Sequence, residues 1–179
     1  MTLTDDYLKY PKRGHGMDHD RYTWSQLHER PAVTWPNDAR IALWVVIQLQ
    51  WFPLDMMPAV PVPGGMARPY PDYWDYTLRD YGNRIGVYRI FKVLDNLGIK
   101  SSVAINSALA EMYPFLVDQV NQRGWELIAN GLDMGHPHYG GMERDEEANL
   151  IAGVLKSLRM LSGQKIRGWL SPVRSESMN

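Results

Sequence analysis

Two histidines one residue apart, His136 and His138, stand in the glycine-rich stretch NGLDMGHPHYGGM. In extended backbone, side chains at i and i+2 point to one side, so this spacing can bring two imidazoles to one small target. Imidazole changes charge near neutral pH and binds divalent metals, which suits an acid–base pair or a metal pair. His-Pro-His in a glycine-rich loop is equally a way of building a turn. Asp55 and Asp133 are the carboxylates placed to join this site, or they cap their own loops, as aspartate does without any chemistry. Arg174 offers a planar fork that can clamp a carboxylate, carbonyl or ureido oxygen, or else forms a surface ion pair. Asp18, His19 and Asp20 have ligand-like composition, and also the composition of an ordinary loop or pocket rim.

The elements that must hold these residues alternate between strand and helix. Residues 1–38 are polar and aromatic without a sustained period and read as an N-terminal arm. Arg40–Gln50, RIALWVVIQLQ, is nearly continuous and β-branched, the pattern of a strand buried on both faces. Residues 51–81 carry prolines at 53, 58, 61, 63, 69 and 71 and read as a long binding loop or surface cover. Asn83 can cap a helix with Ile85, Tyr88, Phe91, Leu94 and Leu97 inward and Gly98 as its stop. Ile99–Ile105 reads as a strand. Ser107 can cap a helix burying Leu109, Met112, Leu116, Val117 and Val120, and Trp125–Ala129 reads as the third strand. An acidic start (Glu143, Asp145, Glu146, Glu147) then suits a helix N-terminus. Ile151, Val154, Leu155, Leu158 and Leu161 mark its inner face, and Ile166–Leu170 is the fourth strand.

Such alternation predicts an α/β fold of parallel strands with helical crossovers. In these folds sites gather beyond the C-terminal ends of strands, here after Gln50, Ile105, Ala129 and Leu170. His136, His138, Asp133 and Arg174 all fall in such positions.

Composition narrows the function classes. The formal net charge of −1 gives no basic footprint for nucleic acid or an anionic membrane. No cysteine is present, so a metal would need His and carboxylate ligands. The opening MTLTDDYLKYPKRG is not that of a secretory signal, and Ile41–Ile47 is far too short to span a bilayer. A cytoplasmic protein without membrane partners is expected. Seven Trp and ten Tyr supply amphipathic rings for a core, an interface or a ligand pocket.

The stretches DYGNRIGVYRIFKVLDNLGIKSSVAIN, GWELIANG, LSGQKIRGWLSP and VRSES together resemble the polysaccharide deacetylases, more closely their allantoinase-like amide-hydrolase branch. The opening RGHGMDHDRYTW and the block LQWFPLD are similar to part of that branch. The likeness runs over roughly residues 13–179 and implies the first half of a distorted (β/α) barrel, with 39–179 as barrel and 1–38 as arm. It also implies a metal held by an Asp and two His in the typical deacetylases, and none in the allantoinase-like branch. Gln50 falls where that branch has Glu, and Asn130 where members have His. Leu170 takes the place of the typical deacetylase Arg, while Gly168, Trp169 and Arg174 match the allantoinase-like pattern.

The resemblance implies hydrolysis of a carbon–nitrogen bond in a small amide, ureide or imide. The expected catalytic set is His136, His138, Asn130 and Gln50, with Arg174, Trp169, Asp133 and Asp55 around the substrate. No tightly held zinc is expected; a metal, if bound, would lie at His136 and His138. The alternative is a non-catalytic subunit that completes or regulates a homologous hydrolase, because Gln takes no proton near neutrality and Asn is no general base. A closed barrel of this kind takes roughly 250 residues. The remaining strands are therefore expected from a second chain, unless Asn179 marks a truncation, a cleavage site or the end of ordered residues.

Overall fold

The computed structural model describes residues 25–54, 71, 73–177 and 179. Asp55, the Asp18–His19–Asp20 group and most of the proline-rich segment lie outside these residues. The chain divides into two units, one ending at Leu43 and the other starting at Trp44. The described part of the first holds two 3-10 turns, Leu27–Glu29 and Pro36–Asp38. Within it Arg30 Nε donates to the carbonyl and hydroxyl of Ser25.

The second unit is built on four parallel strands in sequential order: β1 (Val46–Leu49), β2 (Ser102–Ile105), β3 (Glu126–Ala129) and β4 (Gly168–Trp169). β2 is buried along its whole length, and Val103, Ala104 and Ile105 are completely enclosed. Each crossover is helical, as parallel pairing requires. The parallel α/β fold expected from the sequence is the one observed.

β1 is shorter than the expected Arg40–Gln50. Its ladder pairs four residues with the four of β2, and Ile41, Leu43 and Trp44 ahead of it are exposed. Gln48 is exposed while Ile47 and Leu49 are buried, so β1 is covered on one face only. β4 likewise shrinks from Ile166–Leu170 to two residues.

Asn83 does not cap a helix. Helix α1 (Tyr73–Tyr81) starts soon after the last proline of the loop, Pro71, and passes through a π-helical turn (Gly82–Gly86) into α2 (Val87–Leu97). The helical region thus begins where the proline restriction ends. Val87, Phe91 and Leu94 form the inner face, whereas Ile85, Tyr88 and Leu97 are exposed. A strict i+3 series slips by roughly 60° per step on a helix of 3.6 residues per turn, so its ends leave the buried face. Gly98 closes α2 in the left-handed region at φ 64°, as expected.

The helix expected from Ser107 is two helices, α3 (Ser107–Met112) and α4 (Pro114–Gln122). Pro114 has no N–H to donate and disfavours helical backbone at Tyr113, which sits at φ −126°, ψ 64°. Met112 is exposed as a result, while Leu109, Leu116, Val117 and Val120 are buried. α5 (Arg144–Ser162) buries Val154 and Leu158 and ends at Gly163, φ 68°.

Candidate functional site

The C-terminal ends of β1, β2 and β3 are tied together by Asn106, the residue directly after β2. Its side chain is fully buried; Oδ1 accepts the Trp51 N–H at 2.8 Å, and Nδ2 donates to the Asn130 carbonyl. The stretch after β1 is thus linked to the one after β3 through a single amide. Asn83 adds a second tie from the π-helical turn, donating from Nδ2 to the Gln50 carbonyl at 2.9 Å. The Met134 N–H reaches the Trp51 carbonyl at 2.9 Å. Asn106, Asn83 and Glu147 were not among the residues expected at the site.

The positions after β3 fall into two histidine–carboxylate pairs. Asp133 is buried, and its Oδ1 accepts the Gly135 N–H at 2.8 Å and meets His136 Nδ1 at 2.7 Å. It therefore caps its loop and holds a histidine at once. His138 is buried, with Nδ1 2.6 Å from Glu147 Oε1 on the first turn of α5. Glu147 Oε2 accepts from Ser177 Oγ at 2.7 Å and from Asn179 Nδ2 at 2.8 Å. Burial acts to raise the Glu147 pKa. The hydrogen bonds from Ser177, Asn179 and His138, with the charge of His138, outweigh it and hold the carboxyl below its ordinary value. The ionised carboxylate only accepts, so His138 Nδ1 carries the proton of that bond.

His136 and His138, whose spacing could bring both rings to one target or build a turn, each have Nδ1 taken by a different carboxylate. Among the described residues no three His, Asp or Glu side chains gather to hold a metal ion. The described donor set does not fit a divalent-metal centre.

β4 closes the site from the other side. The Trp169 ring lies edge-on to the His138 ring, centroids 5.5 Å apart, and its Nε1 donates to Ser171 Oγ at 3.2 Å. Next to Asn130, Gly131 has φ 67°, and a Cβ there would stand 2.3 Å from Pro172 Cγ. Only glycine allows that approach. Val173 and Arg174 follow with φ of 49° and 57°. Positive φ in a β-branched residue costs on the order of 1–3 kcal/mol and persists only where its surroundings impose it.

Three polar atoms near these strand ends are buried and have no hydrogen-bond partner among the described residues: Asn130 Nδ2, Asn130 Oδ1 and His138 Nε2. Buried polar groups are nearly always satisfied, and leaving one unpaired costs about 1–3 kcal/mol. A proton donor, an acceptor and an imidazole nitrogen are thus open among the described residues.

The other expected residues stand further out. Gln50 is half-buried and its Nε2 donates to Gln48 Oε1 at 3.1 Å. The Arg174 side chain is exposed and forms no ion pair among the described residues. The structure therefore brings Trp169 against the buried His138, buries Asn130 directly after β3, and leaves Arg174 at the surface.

No protein-family profile matches the sequence, and no curated protein matches it. Solved structures do. The fold is similar to that of Puue allantoinase, at 23% identity and a TM-score of 0.62 over 75% of this chain and 47% of that one. It is similar to a protein assigned as a polysaccharide deacetylase from Pseudomonas aeruginosa PAO1, at 25% identity and 0.61 over 75% and 48%. A protein assigned likewise in Mycobacterium smegmatis gives 19% identity and 0.62 over 80% and 48%. The chain spans about half the length of these structures. It carries part of a polysaccharide-deacetylase-like fold.

Proposed function

We propose that the chain contributes the catalytic end of a hydrolase that cleaves a carbon–nitrogen bond in a small amide, ureide or imide. The observation that carries this reading is the trio of unpartnered buried atoms on Asn130 and His138, set beyond the C-terminal end of β3. The names of the similar structures, an allantoinase and two deacetylases, favour the same chemistry.

In this reading His138 Nε2 takes a proton from water as the oxygen attacks the carbonyl carbon. Asn130 Nδ2 donates to the carbonyl oxygen as it gains negative charge, the kind of fixed donor worth about 10²–10³ in rate. Collapse of the intermediate breaks the carbon–nitrogen bond, and the imidazolium returns its proton to the departing nitrogen. Trp169 walls the site beside His138. Arg174, on its strained turn, meets the polar end of the substrate, and His136 with Asp133 shapes the loop. Gln50 contributes its carbonyl, held by Asn83, and no proton transfer. A second polypeptide pairing with the outer edges of β1 and β4 belongs to the same reading.

The test is to purify the 179-residue chain, with any partner that accompanies it, and assay allantoin, simple imides and acetylated sugars. Turnover of at least one is expected. Absence of turnover in all three classes overturns the reading.

A further inference from the structure

We infer that Glu147 is the positioning residue of His138, fixing the imidazole so that Nε2 is its free nitrogen. The inference rests on the proposed hydrolase only for the reaction it serves. Its basis is the buried pair of Glu147 and His138, with Ser177 and Trp169 against it.

Glu147 is in the first turn of α5, where an acid is ordinarily solvated and favoured by the helix dipole. Instead it is buried, in phase with Ile151, Val154 and Leu158 at steps of four, three and four residues. A carboxylate turned into a protein is costly unless its oxygens are bonded. Here both are. Oε1 faces His138 Nδ1 at 2.6 Å, and Oε2 takes Ser177 Oγ at 2.7 Å and Asn179 Nδ2 at 2.8 Å.

The arrangement is asymmetric in a way that a purely structural pair does not need. Nδ1 is saturated by a carboxylate that is itself anchored from the segment after β4. Nε2, on the same buried ring, has no partner among the described residues. Trp169, edge-on at 5.5 Å, restrains the ring from β4. A carboxylate on one nitrogen selects the tautomer and orients the ring, leaving the other nitrogen to do chemistry. Ser177 extends this control, because its hydroxyl bonds the Glu147 oxygen that His138 does not use.

The experiment reads the tautomer directly. Histidine labelled with nitrogen-15 is incorporated into the full chain, and His138 is identified by the signals lost in His138→Gln. No substrate is added. The parent is expected to show Nδ1 protonated with a bare Nε2. Glu147→Ala should shift His138 toward the Nε2–H form, and Glu147→Gln, which keeps an acceptor oxygen, should restore most of the parent pattern. Should Glu147→Ala fail to fold, Ser177→Ala replaces it, with a smaller shift in the same direction expected. A parent with bare Nδ1, or a tautomer unmoved by these variants, overturns the inference. Because the readout needs no turnover, absence of hydrolase activity would defeat the proposed function and leave this result standing.

Discussion

His138 Nδ1 lies 2.6 Å from Glu147 Oε1, joining the loop after β3 to the first turn of α5 inside the protein. This pair gives the fold an acid-sensitive element. The Glu147 carboxyl is held below its ordinary value near 4.5, with burial opposing and the bonds from Ser177, Asn179 and His138 prevailing. A depressed carboxyl stabilises the folded state above its unfolded pKa and loses that contribution as pH falls through its folded pKa. His138 is the titratable group facing it. The stability lead of the parent over Glu147→Gln should be constant above about pH 5.5 and should shrink below about 4.5. Urea midpoints of both proteins from pH 6.5 to 3 check this. A lead that stays flat or widens toward acid would count against the pair.

Asn106 serves two backbone groups from two strand ends. Asn106→Ala leaves the half-buried Trp51 N–H and the buried Asn130 carbonyl unpaired, at about 1–3 kcal/mol each. A loss of roughly 3 kcal/mol in denaturant unfolding is expected. Asn106→Asp, which turns a carboxylate oxygen toward the Asn130 carbonyl inside the protein, should lose at least as much. A loss below about 1 kcal/mol would mean that neither bond persists in solution.

Much of the fold is legible in the sequence, and the failures have causes. Gly98 and Gly163 sit where apolar periodicity ends, and both are left-handed helix stops. The split between α3 and α4 was equally readable, since Pro114 stands inside the periodic run. Exposure of Ile85 and Leu97 was hidden by a series stepping evenly by three, which drifts around a helix. At the site, the sequence singles out His138, Asn130 and Trp169 as candidates, but not the contacts that His138 makes with Glu147 and Trp169. Glu147 left a signal: it falls on the same face as Ile151, Val154 and Leu158, where an acid must find a partner. Asn106 left less, because a polar residue between a strand and a helix is ordinarily a cap, and here its side chain serves two other segments instead.

Gly131 permits the approach of Pro172 to the residue beside Asn130. Gly131→Ala places a methyl 2.3 Å from Pro172 Cγ on backbone at φ 67°. The left-handed backbone costs an alanine roughly 1–2 kcal/mol, and the clash adds to it. A stability loss of about 2–4 kcal/mol is expected, with a change in Trp169 fluorescence as the turn after β4 moves. A loss under about 0.5 kcal/mol would show that Pro172 does not pack there.

The zinc content of the purified chain should be well below one per chain after dialysis, because the two histidine Nδ1 atoms are engaged by carboxylates and no three donors converge among the described residues. Elemental analysis decides this. Near-stoichiometric zinc that disappears in His136→Ala would overturn it.

The central claim is that His138 Nε2 moves the proton in carbon–nitrogen bond hydrolysis. The measurement that tests it is kcat for the parent, His138→Ala and His136→Ala on whichever amide, ureide or imide the chain turns over. General acid–base catalysis contributes about 10²–10⁴ in rate, so His138→Ala should lose at least a hundredfold in kcat. His136→Ala, bonded to the loop-capping Asp133, should lose much less. Equal kcat in the parent and His138→Ala, or a larger loss in His136→Ala, would contradict the account.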